Sequence, residues 1–170
     1  MLFERWARLG GQRGEIAARE ALVRITRLYL AALDLPPPWT EGLDPRPAQR
    51  VSDDEWKEVF AAAGCLPLDY YGELFDPLVT PPEEPVIGSL ADDIADIYRD
   101  VVTGLREHQA GRPLRAIWEW GNNFQQHWGD HATGAIRALH AWLAANAPAR
   151  LAADLRPADE APVGDEREPG

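Results

Sequence analysis

Two histidines and two aspartates are the clearest candidates for a functional site in this sequence. His127 and His131 stand four residues apart in HWGDH, and Asp93 and Asp96 stand three apart in DDIAD. Residues three or four apart share one face of a helix. The two imidazoles could therefore hold one ion, and the two carboxylates would complete a ligand set suited to a divalent metal. Such a metal activates a bound water for hydrolysis.

Neighbouring polar and aromatic residues are expected to support these four candidates. Asp100 continues the row formed by Asp93 and Asp96 along one flank of a helix. Residues beside a metal ligand commonly orient it through hydrogen bonds. The residues assigned to structural or supporting roles are Asp92, Asp100, Trp128, Tyr70 and Tyr71.

A purely structural network is the alternative interpretation of the same residues. Asp93 or Asp96 would then hydrogen bond a half-buried histidine, fixing its tautomer and holding two helices in register. Residues 127–131 also share the outline H-x-x-acid-H with inverted zinc peptidases. Asp130 replaces the usual Glu there, and its shorter arm would reach a metal-bound water poorly. The sequence has no glycine-rich phosphate loop and no Ser or Cys nucleophile motif.

A long amphipathic helix must position the two histidines. Pro113 suits the first turn of a helix, because its missing N–H would have no partner there. Apolar residues then recur at steps of mostly three and four up to the region before Pro148. Its glycines indicate close approach of a neighbouring helix, or a break near Gly129.

A second helix over residues 89–109 must position the aspartates. Ser89 and Asp92 form a capping-box pattern at its start. Gly111 ends it and Pro113 begins the long helix, so the two helices should lie antiparallel and side by side. This arrangement predicts that Asp93 and Asp96 face His127 and His131.

The rest of the chain predicts an all-α fold, a helical bundle of four to five helices in a single domain over residues 1–147. Helices are expected over residues 14–33 and 52–63, after a short helical start. The proline-rich stretch 34–50 should be a surface connection from which Trp39 docks onto the body. Residues 65–85 are expected to form an irregular arm that buries Tyr70, Tyr71, Leu74 and Phe75. Residues 148–170 should be a disordered acidic tail.

Composition narrows the classes of function. The chain has 170 residues and a net charge of -11, and residues 41–100 carry fifteen acidic and four basic groups. This balance argues against nucleic-acid phosphate as the main ligand. It is compatible with a basic protein partner, with nucleic-acid mimicry, or with an acidic surface that simply keeps the protein soluble. No apolar run is long enough to span a membrane. The single Cys65 and the lack of a signal-peptide pattern are typical of a cytoplasmic protein.

Three segments resemble a known bacterial family. The pieces LPLDYYGELFDPL, DDIADIYRD and FQQHWGDHA, in this order and separation, are similar to the family catalogued as domain of unknown function number 5063. The likeness covers roughly residues 15–145. It implies a small helical cytoplasmic protein and carries no settled activity, cofactor or partner. The matching positions are Asp92, Asp93, Ile94, Asp96, Ile97, His127, Trp128, Gly129 and His131.

Three hypotheses of function follow and remain open on the residues alone. The first is a non-enzymatic interaction or accessory module without a cofactor, whose acidic middle third binds a basic protein partner. The second is a divalent-metal-binding helical protein or hydrolase that uses Asp93, Asp96, His127 and His131. The third is an acidic immunity or inhibitor protein that blocks a basic toxin or nuclease.

Overall fold

A computed structural model describes residues 2–9, 13–38 and 41–152 of the chain. The prediction of a helical bundle is confirmed. Its helices are α1 (Leu2–Leu9), α2 (Gly14–Leu33), α3 (Asp53–Ala63), α4 (Leu90–Gln109), α5 (Pro113–Asn123), a π-helical turn (Phe124–Trp128), α6 (Gly129–Asn146) and α7 (Pro148–Ala152). Two short strands, β1 (Tyr70–Glu73) and β2 (Val86–Ser89), pair between α3 and α4.

Helix α4 lies at the centre of the bundle and packs against α1, α3, α5 and α6. The Ser89 side chain caps its start by accepting a hydrogen bond from the backbone N–H of Asp92. Leu90, Ile94, Ile97 and Tyr98 are at most 1% exposed. Because neighbours cover α4 on most sides, its aspartates are drawn into the interior together with its apolar residues.

The antiparallel arrangement of α4 with the following helices is present as predicted. Gly111 adopts a positive φ of 74° in the turn, and Pro113 stands in the first turn of α5. Trp120 donates from its indole Nε1 to the Val101 carbonyl at 2.9 Å. A Cβ on Gly104 would lie 2.3 Å from that nitrogen, so the glycine permits this close contact.

The long helix predicted from residue 113 onward is continuous, but it changes its winding. Instead of a break near Gly129, the chain forms one π-helical turn at Phe124–Trp128 and then resumes the α-helix. Turns of this type occur mostly as single insertions within α-helices, often at functional sites.

The predicted start of the disordered tail is wrong by five residues. Pro148–Ala152 form the short helix α7, and Leu151 packs against the core. Pro148 fits the start of a helix because it lacks only an N–H that has no partner there. The remainder of the predicted tail, and Trp39 with its predicted docking, lie outside the described residues.

The arm over residues 65–85 is also more ordered than predicted. β1 and β2 pair antiparallel, with Tyr71 opposite Gly88 and Glu73 opposite Val86. Alternate residues of a strand point to opposite faces, so Tyr71 turns inward while Tyr70 is 65% exposed. Phe75 is 77% exposed. The predicted burial of Tyr70 and Phe75 is therefore wrong. Within the described residues, no helix has the length and apolar character needed to cross a membrane.

Candidate metal site

Helices α4 and α6 and the π-helical turn bring one aspartate and two histidines together. His127 Nε2 lies 3.8 Å from Asp96 Oδ2, and His131 Nε2 lies 3.6 Å from the same oxygen. The three potential ligand atoms all lie within 4.8 Å of one another. Asp96, His127 and His131 are termed the His/Asp cluster below.

Each histidine is held from behind by a different aspartate. Nδ1 of His127 lies 2.8 Å from Asp100 Oδ2, and Nδ1 of His131 lies 2.9 Å from Asp93 Oδ1. An ionised carboxylate only accepts hydrogen bonds, so with Asp93 and Asp100 ionised each Nδ1 is the donor. The neutral form of each ring then has its lone pair on Nε2, directed towards Asp96.

Asp96 is oriented by α3, which the sequence did not connect with the site. Its Oδ1 accepts a hydrogen bond from Trp56 Nε1 at 2.7 Å, which leaves Oδ2 facing the histidines. The Arg99 guanidinium lies over the Trp56 ring at 5.2 Å from its centroid and 3.7 Å from Asp96 Oδ1. One hydrogen bond, from Trp56, and one ion pair, with Arg99, therefore engage Oδ1 of Asp96.

Strand β1 completes the support on the other side. Tyr71 donates its hydroxyl to Asp93 Oδ2 at 2.7 Å, and its ring packs over Gly88. A Cβ on Gly134 would lie 2.5 Å from both the Tyr71 hydroxyl and Glu73 Oε1. Gly134 therefore lets the strand approach α6 closely enough for Tyr71 to reach Asp93.

The cluster is open to solvent on one side only. The side chains of His127, His131 and Asp96 are 43%, 26% and 14% exposed, whereas those of Asp93 and Asp100 are 5% and 10% exposed. The supporting carboxylates thus lie inside the protein, whereas the two histidine side chains are partly exposed to solvent.

Electrostatics at the site reflect crowded and buried carboxylates. The hydrogen bond that His131 donates to Asp93 raises the pKa of His131. Burial raises the pKa of Asp100, against the opposing effect of its bond to His127. Burial, reinforced by Asp93, also raises the pKa values of Tyr71 and Glu73. So many acidic groups around two imidazoles make the site attractive to a cation.

The predicted site residues lie close together, but not all of them are positioned as ligands. The structure brings Asp93, Asp96, His127 and His131 together, but both Asp93 oxygens are engaged, by His131 Nδ1 and by Tyr71. Asp93 therefore stands behind the cluster beside Asp100, rather than among its ligand atoms as predicted. Asp92 is half-buried at the start of α4, where burial raises its pKa.

Two of the aromatic residues named in the sequence analysis, Trp128 and Tyr70, do not surround the His/Asp cluster. Trp128 is 1% exposed in the core, where its Nε1 donates to the Trp120 carbonyl at 3.3 Å. Tyr70 points away from the site. Trp56 and Glu73 belong to the surroundings of the site and were not predicted as such. The sequence offered one signal for the role of Trp56 as a donor to Asp96: it is the single indole on an amphipathic helix.

The π-helical turn sets the offset between the two histidines, because His127 belongs to it and His131 to α6. A Cβ on Gly129 would lie 2.3 Å from the Phe124 carbonyl oxygen. Gly129→Ala is therefore expected to shift the turn and to lower the free energy of unfolding by about 1–3 kcal/mol. Chemical denaturation measures this loss, and Ala135→Gly on the same helix controls for helix propensity. An unchanged midpoint for Gly129→Ala would show that the turn tolerates a side chain.

Fold and site together define a small helical-bundle protein with a carboxylate-supported His/Asp cluster. The family model described as domain of unknown function (DUF5063) matches residues 13–145, and the chain belongs to this family. The fold is similar to the crystal structure of protein BF1032 from Bacteroides fragilis, with a TM-score of 0.62, 19% identity and 82% of each chain covered. At this identity the likeness supports the fold alone. No curated protein matches the sequence.

Proposed function

We propose that this chain is a divalent-metal-binding protein whose ligands are Asp96, His127 and His131. The observation that carries the proposal is the convergence of two Nε2 atoms on one Asp96 oxygen, at 3.6 and 3.8 Å. These separations exceed those of a normal hydrogen bond, which spans about 2.7–3.2 Å. The three groups therefore surround a common space and do not simply bind one another.

The size of this space fits a transition-metal ion. Bonds of about 2.0–2.1 Å to nitrogen and oxygen place tetrahedral ligand atoms about 3.3 Å apart. The observed separations from Asp96 Oδ2 exceed that value by a few tenths of an ångström, which side-chain rotation can close. Two imidazoles and one carboxylate form a ligand set typical of Zn²⁺ and Fe²⁺.

The hydrogen bonds behind the histidines support the same function. Metal-binding histidines usually donate their second ring N–H to a carboxylate or carbonyl, which fixes the tautomer and raises the basicity of the ligand. Asp93 and Asp100 provide this arrangement for both rings. A purely structural network would not require both Nε2 atoms to lie near the same Asp96 oxygen. It would not require the histidine side chains to be partly exposed either.

Asp96, His127 and His131 would supply three ligands and leave further coordination positions for water. A metal held in this way would supply a Lewis acid that activates water, which is the basis of metal-dependent hydrolysis. The second function hypothesis from the sequence, a metal-binding protein or hydrolase, is thus the one that the site geometry supports best.

Calorimetric titration of metal-free protein with Zn²⁺ and Mn²⁺ tests the proposal. We expect one ion per chain, and Asp93→Asn should weaken affinity about 10–100-fold because His131 loses its carboxylate partner. Asp130→Asn is the matched control, since Asp130 is an exposed aspartate beside His131 that bonds neither imidazole. Absence of binding by the parent protein would refute the proposal. Equal losses of metal affinity in both variants would show that Asp93 acts only through its negative charge and not through its hydrogen bond to His131.

A further inference from the structure

We propose that residues 70–87, termed the β-arm, form a docking surface for a protein segment that combines basic and apolar side chains. The β-arm holds six of the eleven large hydrophobic residues that are exposed in the described part of the chain. Its most exposed members are Leu78, Ile87 and Phe75, at 89%, 80% and 77%. Single exposed apolar residues are common, whereas concentrated exposed apolar residues are typical of interaction surfaces.

The charge of the surrounding chain specifies the chemistry of the partner. Between residues 58 and 98 there are nine acidic residues and no Lys, Arg or His. Asp76, Glu83 and Glu84 are exposed on the β-arm, and no ion pair of the described residues includes them. Cationic side chains of a partner would pair with these carboxylates and orient the encounter, while its apolar side chains would cover Leu78 and Ile87.

The same charge argues against other occupants. Two β-arms of identical chains would bring like charges together, which disfavours a second copy. Nucleic acid and anionic lipid would be repelled by the carboxylates. The acidic middle third of the sequence predicted a basic partner, and the structure adds the exposed apolar residues of the β-arm. The inference does not depend on the metal, because Tyr71 and Glu73 face the bundle while Tyr70 and Ile87 face outward.

Fluorescence anisotropy with labelled synthetic peptides tests this surface on the full chain. The probe is a 15-residue peptide that mixes lysine and leucine, and the comparison peptides replace all lysines by glutamate or all leucines by serine. We expect saturable binding of the lysine–leucine peptide alone, weakened by added salt. Absence of binding would overturn the inference. Equal binding of the lysine–serine peptide would overturn it too, because charge alone would then explain the binding and the apolar residues of the β-arm would contribute nothing.

Matched variants locate the binding on the protein. Leu78→Ser with Ile87→Ser is expected to weaken binding of the lysine–leucine peptide about tenfold or more, and Glu83→Lys with Glu84→Lys should do the same. Leu30→Ser with Leu33→Ser is the control, since these leucines are 57% and 58% exposed on α2. A control that loses as much affinity as the β-arm variants would overturn the location. Self-association of the parent that Leu78→Ser abolishes would instead assign the surface to a second copy.

Discussion

His131→Ala is expected to remove bound metal while leaving the helical bundle folded. The substitution deletes one of three ligand atoms, and the remaining Asp96 and His127 provide too few bonds to compete with water for Zn²⁺. We expect affinity to fall by more than about 100-fold. Metal content by mass spectrometry and Zn²⁺ titration measure the loss, and circular dichroism checks the helices.

The design must separate the loss of a ligand from the loss of a hydrogen bond. Asp93 is 4% exposed, and without His131 its only hydrogen-bond partner among the described residues is the Tyr71 hydroxyl. Leaving a buried acceptor short of a donor costs about 1–3 kcal/mol. His131→Gln can restore a donor to Asp93 without supplying an imidazole ligand, so it should recover stability and still lack metal. Recovery of metal by His131→Gln would contradict the assigned ligand role.

A second histidine on the same helix provides the control for histidine loss. His140 is exposed on α6, away from the His/Asp cluster. We expect His140→Ala to bind metal as the parent does. If the parent holds one ion per chain and His140→Ala releases it while His131→Ala does not, the metal binds elsewhere and the proposed cluster is structural.

Glu107→Ala is expected to cause the largest loss of stability outside the site, about 3–5 kcal/mol. Glu107 is fully buried at the end of α4 and accepts hydrogen bonds from Arg112 Nε at 2.5 Å and from the Gln49 backbone N–H at 2.7 Å. It thereby joins the α4–α5 turn to the connection over residues 34–50. Its removal leaves both donors without this acceptor, and one of them is charged.

Chemical denaturation of parent and variant measures this effect. Glu20→Ala is the matched control, because Glu20 pairs with Arg24 at i,i+4 spacing and is 29% exposed. Its expected change is within about 0.5 kcal/mol. A Glu107→Ala variant no less stable than the control would show that the buried pair is replaceable.

The stability difference between parent and Glu107→Ala should also depend on pH. The hydrogen bond from Arg112 lowers the pKa of Glu107 below its ordinary value. A carboxyl with a lowered folded-state pKa contributes stability above its unfolded pKa of about 4.3, and the contribution is lost as pH falls through the folded pKa. The difference should therefore be full at pH 7 and shrink below about pH 4. The pKa of Glu55, lowered to about 2 by Arg106, affects both proteins equally and cancels.

Periodicity and capping residues were enough to predict the main helices. The α2 boundaries match the predicted 14–33, and Ser52 and Ser89 cap α3 and α4 as expected. These features depend on local interactions, in which neighbouring side chains satisfy helix-end N–H groups. The short turn at Gly111 then made the helices antiparallel, which was sufficient to bring Asp96 near His127 and His131.

Strand pairing in the β-arm could not be predicted in the same way. The segment has no sustained period, and its strands pair residues that are thirteen to nineteen positions apart in the chain. The choice of Tyr71 over Tyr70 as the inward residue follows from that register. Close approaches at Gly88 and Gly134 depend on the same packing.

The sequence by itself determined the helical class, the antiparallel pair and the set of acidic and imidazole groups available to the site. Only the tertiary structure decided their roles: Asp93 and Asp100 hold the Nδ1 atoms, Asp96 faces both Nε2 atoms, and Trp56 orients Asp96. The physical reason is that these roles depend on helix rotation and side-chain direction to within an ångström. Spacing along the chain specifies a shared face, whereas packing between helices specifies which atom meets which.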